Sequence, residues 1–410
     1  MGCIAVINAG SSSIKFALFE MDDGERLLFR GQINNIGLAP QLLVEGPDGE
    51  KLAEDEWRAR DLNHRSATNV VLETAIALLG GKPVAAVGHR VVHGGTHFSG
   101  PALITKDVIA SLKTLCSLAP LHQPHNIAPI EAIQAAAPHI PQVACFDTAF
   151  HQTQPPLASS FALPRELTDS GIRRYGFHGL SYEYVTGHLR QVSPEHADKR
   201  IVIAHLGNGA SLCAVHQGHS VATTMGFTAV DGLVMGTRCG SIDPGVLIYL
   251  MDERKMEARA LETLIYKKSG LLGVSGISSD MRALRASEDL KAREAIDLFV
   301  YRIVREIGSL SAALGGLEGL VFTGGIGQRD ANTRREVVAG CAWLGAALDE
   351  QANSAREGRI DSSASRIPIW VLPTDEERVI ARHTATIIAD PAPNESETMR
   401  LDAQSSAVRG

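Results

Sequence analysis

A β-rich run that breaks at a cluster of small residues and then resumes occurs twice in this chain. The first copy is Cys3-Ile-Ala-Val-Ile-Asn8, then Ala9-Gly10-Ser11-Ser12-Ser13, then Ile14-Lys15-Phe16-Ala17-Leu18-Phe19. The second is Ile201-Val-Ile-Ala-His205, then Leu206-Gly207-Asn208-Gly209-Ala210-Ser211, then Leu212-Cys213-Ala214-Val215. Repetition of a strand–turn–strand unit predicts a duplicated core, with one hairpin seeding each half. Around the hairpins, helical periodicity alternates with short β-rich runs at Val84–Gly88, Gln142–Phe146, Leu320–Thr323 and Ile367–Leu372, the pattern of an α/β protein. The clearest helix is expected from about Leu290 to Leu314. There Ile296, Val300, Ile303, Val304, Ile307 and Leu310 recur at helical spacing and form a core-facing stripe.

A chain of 410 residues, 44% of them hydrophobic, exceeds one comfortable core. Two lobes with a cleft between them are therefore expected: residues 1–150, joined by the C-terminal segment from about 376 to 410, and residues 151–375, with Pro155-Pro156 near the crossover. The Pro-, Ser- and charge-rich stretch from Asp390 is expected to fray. Lys plus Arg number 39 against 46 Asp plus Glu, a net charge of −7, which gives no general attraction for nucleic acid or an anionic membrane. An anion must then be bound by local groups. The chain opens without a charged-then-apolar leader, and charge or glycine interrupts every long apolar window, so a cytoplasmic protein is expected. The six cysteines lie far apart with no CxxC pair, predicting reduced packing residues rather than a disulfide framework or zinc cluster.

Three segments can hold a phosphate chain: Asn8 to Lys15, His205 to Ser211, and Phe322-Thr323-Gly324-Gly325-Ile326-Gly327. Each follows a predicted strand and offers Gly or Ser at a tight turn, where backbone N–H groups can approach an anion without obstruction. No G-x-x-x-x-G-K-[ST] occurs, and Gly325-Ile326-Gly327 lacks the downstream glycine of a dinucleotide fingerprint, so P-loop and Rossmann readings are disfavoured. A plain β-turn is the ordinary reading of any one such segment. Lys15 is read either as a phosphate partner or as a solvated edge lysine, and strand alternation leaves the choice open.

Arg90, in Gly88-His89-Arg90-Val91-Val92-His93-Gly94-Gly95, stands at the end of a β-rich run, where α/β sites form. Arg238 lies in a glycine-flanked loop, Gly236-Thr237-Arg238-Cys239-Gly240, ahead of a predicted helix. Two forked guanidinium groups suit a carboxylate or a transferring phosphoryl group; surface ion pairing is the competing reading. Asp147 can orient a metal or nucleophile, or serve as a turn carboxylate, and Glu376 opens a helix-like run whose dipole also explains a carboxylate. His89, His93 and His97 recur every fourth residue, but Gly94-Gly95 and the preceding β-rich run argue against one helix and a zinc site. His122 and His178 each sit in a constrained loop, Leu121-His122-Gln123-Pro124 and Phe177-His178-Gly179, and can donate to a phosphate or satisfy a turn.

The segments Val6 to Lys15 and His205 to Ser211 closely resemble the hallmark motifs of the acetate kinase family. Gly88 to Gly95, Phe146-Asp147-Thr148-Ala149-Phe150-His151, Tyr175 to Gly179 and Met235 to Arg238 match in the same order, so the resemblance covers nearly the whole chain except its tail. It implies the actin-like ATPase (ribonuclease H-like) fold of two similar lobes. It also implies a homodimer and reversible, Mg²⁺-dependent (or Mn²⁺-dependent) phosphoryl transfer from ATP to acetate, giving ADP and acetyl phosphate. Carried over by motif, Arg90 and Arg238 stabilise the transition state, His178 hydrogen-bonds the transferring group, His122 assists, and Asp147 positions metal and substrate. Asn8 and Glu376 organise the metal. Ser11, Ser13 and Lys15 lie at the first phosphate turn. His205, Gly207, Asn208, Gly209, the segment Ser279-Asp280-Met281-Arg282, and Gly325, Ile326 and Gly327 fall on the nucleotide side.

Several positions depart from the family pattern. Leu-His-Asn-Pro appears as Leu121-His122-Gln123-Pro124, Phe-His-Gly-Thr-Ser-His as Phe177-His178-Gly179-Leu180-Ser181-Tyr182, and Thr-Asn-Glu-Glu as Thr374-Asp375-Glu376-Glu377. Gly-Ile-Gly-Glu-Asn becomes Gly325-Ile326-Gly327-Gln328-Arg329, and Ala229 replaces a frequent proline. That alanine enlarges the apolar pocket expected from Val92, Leu121 and Phe177, which raises tolerance for propionate. The expectation is acetate first and propionate second, with a pyrophosphate-linked relative as another enzymatic reading. An actin-like nucleotide switch gripping a protein partner is the non-enzymatic one.

Overall fold

The two hairpins become the centres of two separate sheets. The computed structural model describes residues 2–10, 13–22, 25–58, 61–355 and 357–390. Cys3–Ala9 (β1) runs antiparallel to Ile14–Glu20 (β2), with Asn8 opposite Lys15 and Ala9 opposite Ile14. All of β1 except Ala5 is buried, as a strand covered on both faces must be. Arg26–Asn34 (β3), Gln41–Glu45 (β4) and Lys51–Glu56 (β5) continue the antiparallel meander. The charged, mostly exposed β5 closes that edge against strand addition.

On the other side of β1, Val84–Val91 (β6) pairs in parallel. A parallel neighbour needs a crossover, and the helix His64–Leu79, capped by Asn63 and Gly80, precedes it. Ala102–Leu103 (β7) and Gln142–Phe146 (β8) complete the order β5-β4-β3-β2-β1-β6-β8-β7 among the described residues. The second sheet contains Ile201–Leu206 (β9), Ala210–His216 (β10), His219–Thr223 (β11), Gly319–Thr323 (β12), Gly358–Arg359 (β13) and Ile369–Val371 (β14). Its order is β11-β10-β9-β12-β14-β13, with His205 opposite Ser211 and β12 parallel to β9. The paths β3-β2-β1-β6-β8 and β11-β10-β9-β12-β14 are the same route walked twice, which is the duplication the sequence suggests.

Tertiary contacts divide the chain into two units. One comprises the chain up to Val91, Gly100–Cys145 and the part from Glu377 onward; the other comprises Val92–Ser99 and Phe146–Glu376. Ile7, Ile14, Phe16, Leu18, Ile33 and Val44 form the core of the first unit against its helix through Ala67 and Val71. In the second, the helix Gly179–Val192 lays Tyr182, Val185 and Leu189 on Ile201, Ile203, Cys213, Val215 and Trp370. Each such fully buried aliphatic or aromatic side chain contributes about 1.5–3 kcal/mol of transfer free energy.

The long helix spans Leu290–Ala313, with Asp289 capping the Lys291 N–H at 2.8 Å. Ile296, Ile303, Ile307 and Leu310 are buried as expected, and Phe299 joins them. Val300 and Val304 are only partly buried because they lie at the margin of the stripe. β6 runs past Gly88 to Val91, so Arg90 is its penultimate residue, at the end of the strand as the sequence suggests. His89 is fully buried on β6, where its Nε2 meets Gln142 Oε1 at 2.8 Å; burial lowers its pKa to about 4. All six cysteines are free thiols. Among the described residues no helix is long and apolar enough to cross a membrane.

Candidate active site

In the first unit, three neighbouring strands bring polar groups to one level at the end of the sheet. Residues directly opposite one another in an antiparallel pair share a face, so Lys15 lies on the same face as Asn8, and it is exposed there. On the adjacent parallel strand, Arg90 Nη1 donates to Asn8 Oδ1 at 3.2 Å. The Asn8 amide in turn donates through Nδ2 to Glu377 Oε1 at 3.3 Å. Glu377 is the second residue of the helix Glu376–Ala389 and Glu376 the first. Ser13 accepts from the Gly10 N–H at 2.8 Å and closes the β1–β2 turn, whereas Ser11 lies outside the described residues. His122, half-buried, is the N-cap of the helix Gln123–Ala136, with Leu121 just before it. Asn126 on that helix donates to the Ala9 carbonyl at 2.6 Å and fixes the helix to the tip of β1.

In the second unit, Asp147 follows β8 and is almost wholly buried. Its carbonyl accepts from the Gly179 N–H at 2.9 Å. An added Cβ on Gly179 would lie 2.2 Å from that same oxygen, so only glycine permits the approach. Immediately before it, His178 has φ 58° at the N-cap of Gly179–Val192. That left-handed conformation costs a non-glycine residue about 1–2 kcal/mol, and the docking of Gly179 on Asp147 holds it in place. The His178 ring stacks on His205 with centroids 4.2 Å apart. Ser181 Oγ and His205 Nδ1 are 2.7 Å apart.

Arg238 enters from the loop after Met235, its Nη1 donating to the Ala229 carbonyl at 2.9 Å. A carbon built on Gly209 would stand 3.3 Å from His178 Nε2 and 3.7 Å from Arg238 Nη1. The imidazole and the guanidinium therefore converge on bare backbone at the β9–β10 turn, which the Gly207 N–H closes onto the Gly209 carbonyl at 3.0 Å. An imidazole nitrogen and a charged guanidinium at an uncovered glycine make a setting for an anionic oxygen. Phe177, next to His178 in the chain, is buried, as is Val92, and His93 packs edge-on to Phe177 and Tyr175. Burial lowers the His93 pKa to about 4, so this wall is neutral.

The remaining nucleotide-side residues are less uniform. Asn208 is exposed and its carbonyl accepts from Gly236 N at 3.0 Å. Gly325, Ile326 and Gly327 do not form the expected open turn; they lie in the short helix Gly324–Arg329 that starts directly after β12. Asp280 caps the helix Met281–Arg285 and pairs with the Arg282 guanidinium at 2.6 Å, while Met281 is a buried packing residue. Sequence reasoning missed Glu377, Ser181, Tyr182 and Ser211. The departure from the family pattern at Tyr182 is the available signal for that residue, and Glu377 stands next to Glu376 in the same matched segment.

No cluster of three or more His, Cys, Asp or Glu able to hold a metal occurs among the described residues. Within the first unit the Asn8 amide oxygen and the Glu377 carboxylate are nevertheless hard donors. Such a sparse oxygen pair fits Mg²⁺, which keeps several waters and takes one or two protein oxygens together with substrate phosphates.

The acetokinase family profile matches residues 3–382. An acetate kinase of Rhodopseudomonas palustris is 53% identical over 386 residues, covering 93% of this chain and 97% of that protein. Among solved structures, the acetate kinase of Porphyromonas gingivalis superposes with a TM-score of 0.83 at 39% identity, covering 95% of this chain and 100% of that one. A propionate kinase from Francisella tularensis superposes with a TM-score of 0.86 at 37% identity, covering 94% and 100%.

Proposed function

The chain belongs to the acetokinase family, and we propose that it transfers the γ-phosphoryl group of ATP directly and reversibly to acetate, giving acetyl phosphate and ADP. The observation that carries this reading is the match over residues 3–382, together with 53% identity to an acetate kinase over nearly the whole chain. The two sheets are those of the actin-like ATPase fold, as in the related acetate and propionate kinases. Acetate takes precedence over propionate because the sequence relative at 53% identity is an acetate kinase.

A carboxylate is already a nucleophile, so the reaction needs positioning and charge neutralisation rather than a strong base. One acetate oxygen bonds to the γ-phosphorus as the bond to the β,γ-bridging oxygen breaks, and that electron pair leaves on ADP. Repulsion between two anions is the obstacle. Arg90 and Arg238 offset it with forked donors, and His178 donates to the transferring group with His122 assisting. Asp147 orients the acceptor. Val92, Leu121, Phe177 and Ala229 receive the methyl group. Lys15, Ser11, Ser13, His205 and the Gly207–Gly209 turn bind phosphate oxygens, and Asn208, Asp280, Met281, Arg282 and Gly325 to Gly327 serve the nucleotide side. Asn8 and Glu376 hold Mg²⁺, or Mn²⁺ in its place, which supplies charge neutralisation on the phosphates when bound.

Hydroxylamine trapping tests the reaction. With ATP and Mg²⁺, acyl hydroxamate is expected from acetate, less from propionate, and none when pyrophosphate replaces ATP. Absence of hydroxamate with every acid, alongside slow acetate-independent ATP hydrolysis, would replace the kinase reading with a nucleotide switch.

The protein acts in the cytoplasm as a homodimer. Support for the dimer comes from the helix Pro244–Asp252, apolar along its length yet with no residue buried in the chain. Val246, Ile248, Tyr249 and Met251 are 40–55% exposed, a patch that solvent does not favour. Sedimentation is expected to report a dimer for the parent and monomers for an Ile248→Asp, Tyr249→Asp variant. A monomeric parent would reject the assembly.

A further inference from the structure

A fully buried phenol is linked through a fully buried hydroxyl to the ring of His178. Tyr182 Oη lies 2.5 Å from Ser211 Oγ, and Ser211 Oγ lies 2.8 Å from His178 Nδ1. Tyr182 and Ser211 are both at 0% exposure. The order of protons along this chain follows from counting donors and acceptors. Burial raises the Tyr182 pKa well above its ordinary value, so the phenol keeps its proton. Ser211 Oγ is the partner within reach of that proton, and Tyr182 therefore donates to it. Ser211 then accepts from Tyr182 and directs its own hydrogen to His178 Nδ1. With Nδ1 accepting, the ring hydrogen of neutral His178 resides on Nε2, which stands 3.3 Å from where a carbon on Gly209 would lie, a point 3.7 Å from Arg238 Nη1.

We propose that Tyr182 and Ser211 are positioning residues that hold His178 as its Nε2–H tautomer, so that Nε2 donates to an anionic substrate oxygen at the β9–β10 turn. The substrate clause rests on the carboxylate kinase reading; the tautomer clause does not. Several structural features support the arrangement. Tyr182 lies one turn along the helix that His178 caps, and its ring is locked in the core between Phe150 and His151. His205 stacks on the imidazole face and is itself anchored by Ser181 from the same helical turn. The helix that carries His178 thus also fixes its plane and its hydrogen. At position 182 the family pattern has histidine, which can present either a donor or an acceptor; a buried phenol gives the relay one direction.

The test is nitrogen-15 NMR of histidine-labelled protein without substrates, above the pH at which His178 is protonated. The parent is expected to show an unprotonated Nδ1 and a protonated Nε2 at His178. Tyr182→Phe keeps the ring but removes the donor, so Ser211 can accept from Nδ1 and the two tautomers should mix. Ser211→Ala should lose the single tautomer as well, and either variant suffices if the other fails to fold. In Tyr182→Phe, kcat should fall about 10- to 100-fold, the size of effect expected of a misdirected donor, with the KM values for acetate and ATP changed less than threefold. A protonated Nδ1 in the parent, or an unchanged Nε2–H tautomer in Tyr182→Phe, overturns the proposal. An inactive parent with the expected tautomer would instead overturn the kinase reading and leave the relay standing.

Discussion

Replacing Arg238 by alanine is expected to lower kcat by about 10³-fold, the scale of a guanidinium that meets developing charge on a phosphoryl group. Unfolding should change little, because the side chain is only half-buried and its hydrogen bond to the Ala229 carbonyl is worth about 1 kcal/mol. The Ala229 carbonyl restrains the guanidinium near Gly209, so little conformational freedom remains to be lost when an anion arrives. Arg238→Lys keeps the charge but not the planar fork, and should recover only part of the rate. Arg90→Ala should act on a similar scale, with an added effect on Asn8, which loses a donor at Oδ1. Steady-state kinetics with guanidinium chloride melts check both. Turnover within tenfold of the parent in both alanine variants would remove the arginines from the chemistry.

The second large effect is expected from a single methyl group. Gly179→Ala places a carbon 2.2 Å from the Asp147 carbonyl oxygen, a backbone atom that cannot swing aside as a side chain can. The hydrogen bond joining the two backbones must open, and the strained His178 conformation loses its restraint. Overpacking of this kind should cost about 3 kcal/mol, and the folded remainder should turn over slowly because Asp147 and His178 no longer keep their spacing. Gly187, in the same helix, is the control: a Cβ there meets nothing within 4 Å. Gly187→Ala should be neutral or stabilising by up to about 1 kcal/mol. Equal denaturation midpoints for the two variants would contradict the close approach at Gly179.

What could be read from the chain alone was local. Both hairpins, their turns and the long helix follow from period and small-residue breaks, and the pairings of Asn8 with Lys15 and His205 with Ser211 follow once each hairpin is closed. Alternation did not say which way Lys15 points, because that depends on which face of the sheet carries Asn8. Spacing cannot join Glu377 to Asn8, because 369 residues separate them and no spacing rule spans that distance. Nor does periodicity reveal that Tyr182, which reads as a helical core residue, turns its hydroxyl to a serine on a neighbouring strand. Three glycines in four residues at 324–327 argue for a turn, yet the segment is helical, because tertiary packing after β12 overrides that propensity.

The repeated strand path leaves corresponding rungs in the two sheets free to diverge. On one, Asn8 and Lys15 stand opposite each other; on the other, His205 and Ser211 do. On the proposed reading a single piece of architecture specialises twice: one copy carries a positive charge, the other directs a hydrogen. A change confined to either rung retunes one of these properties and spares its counterpart.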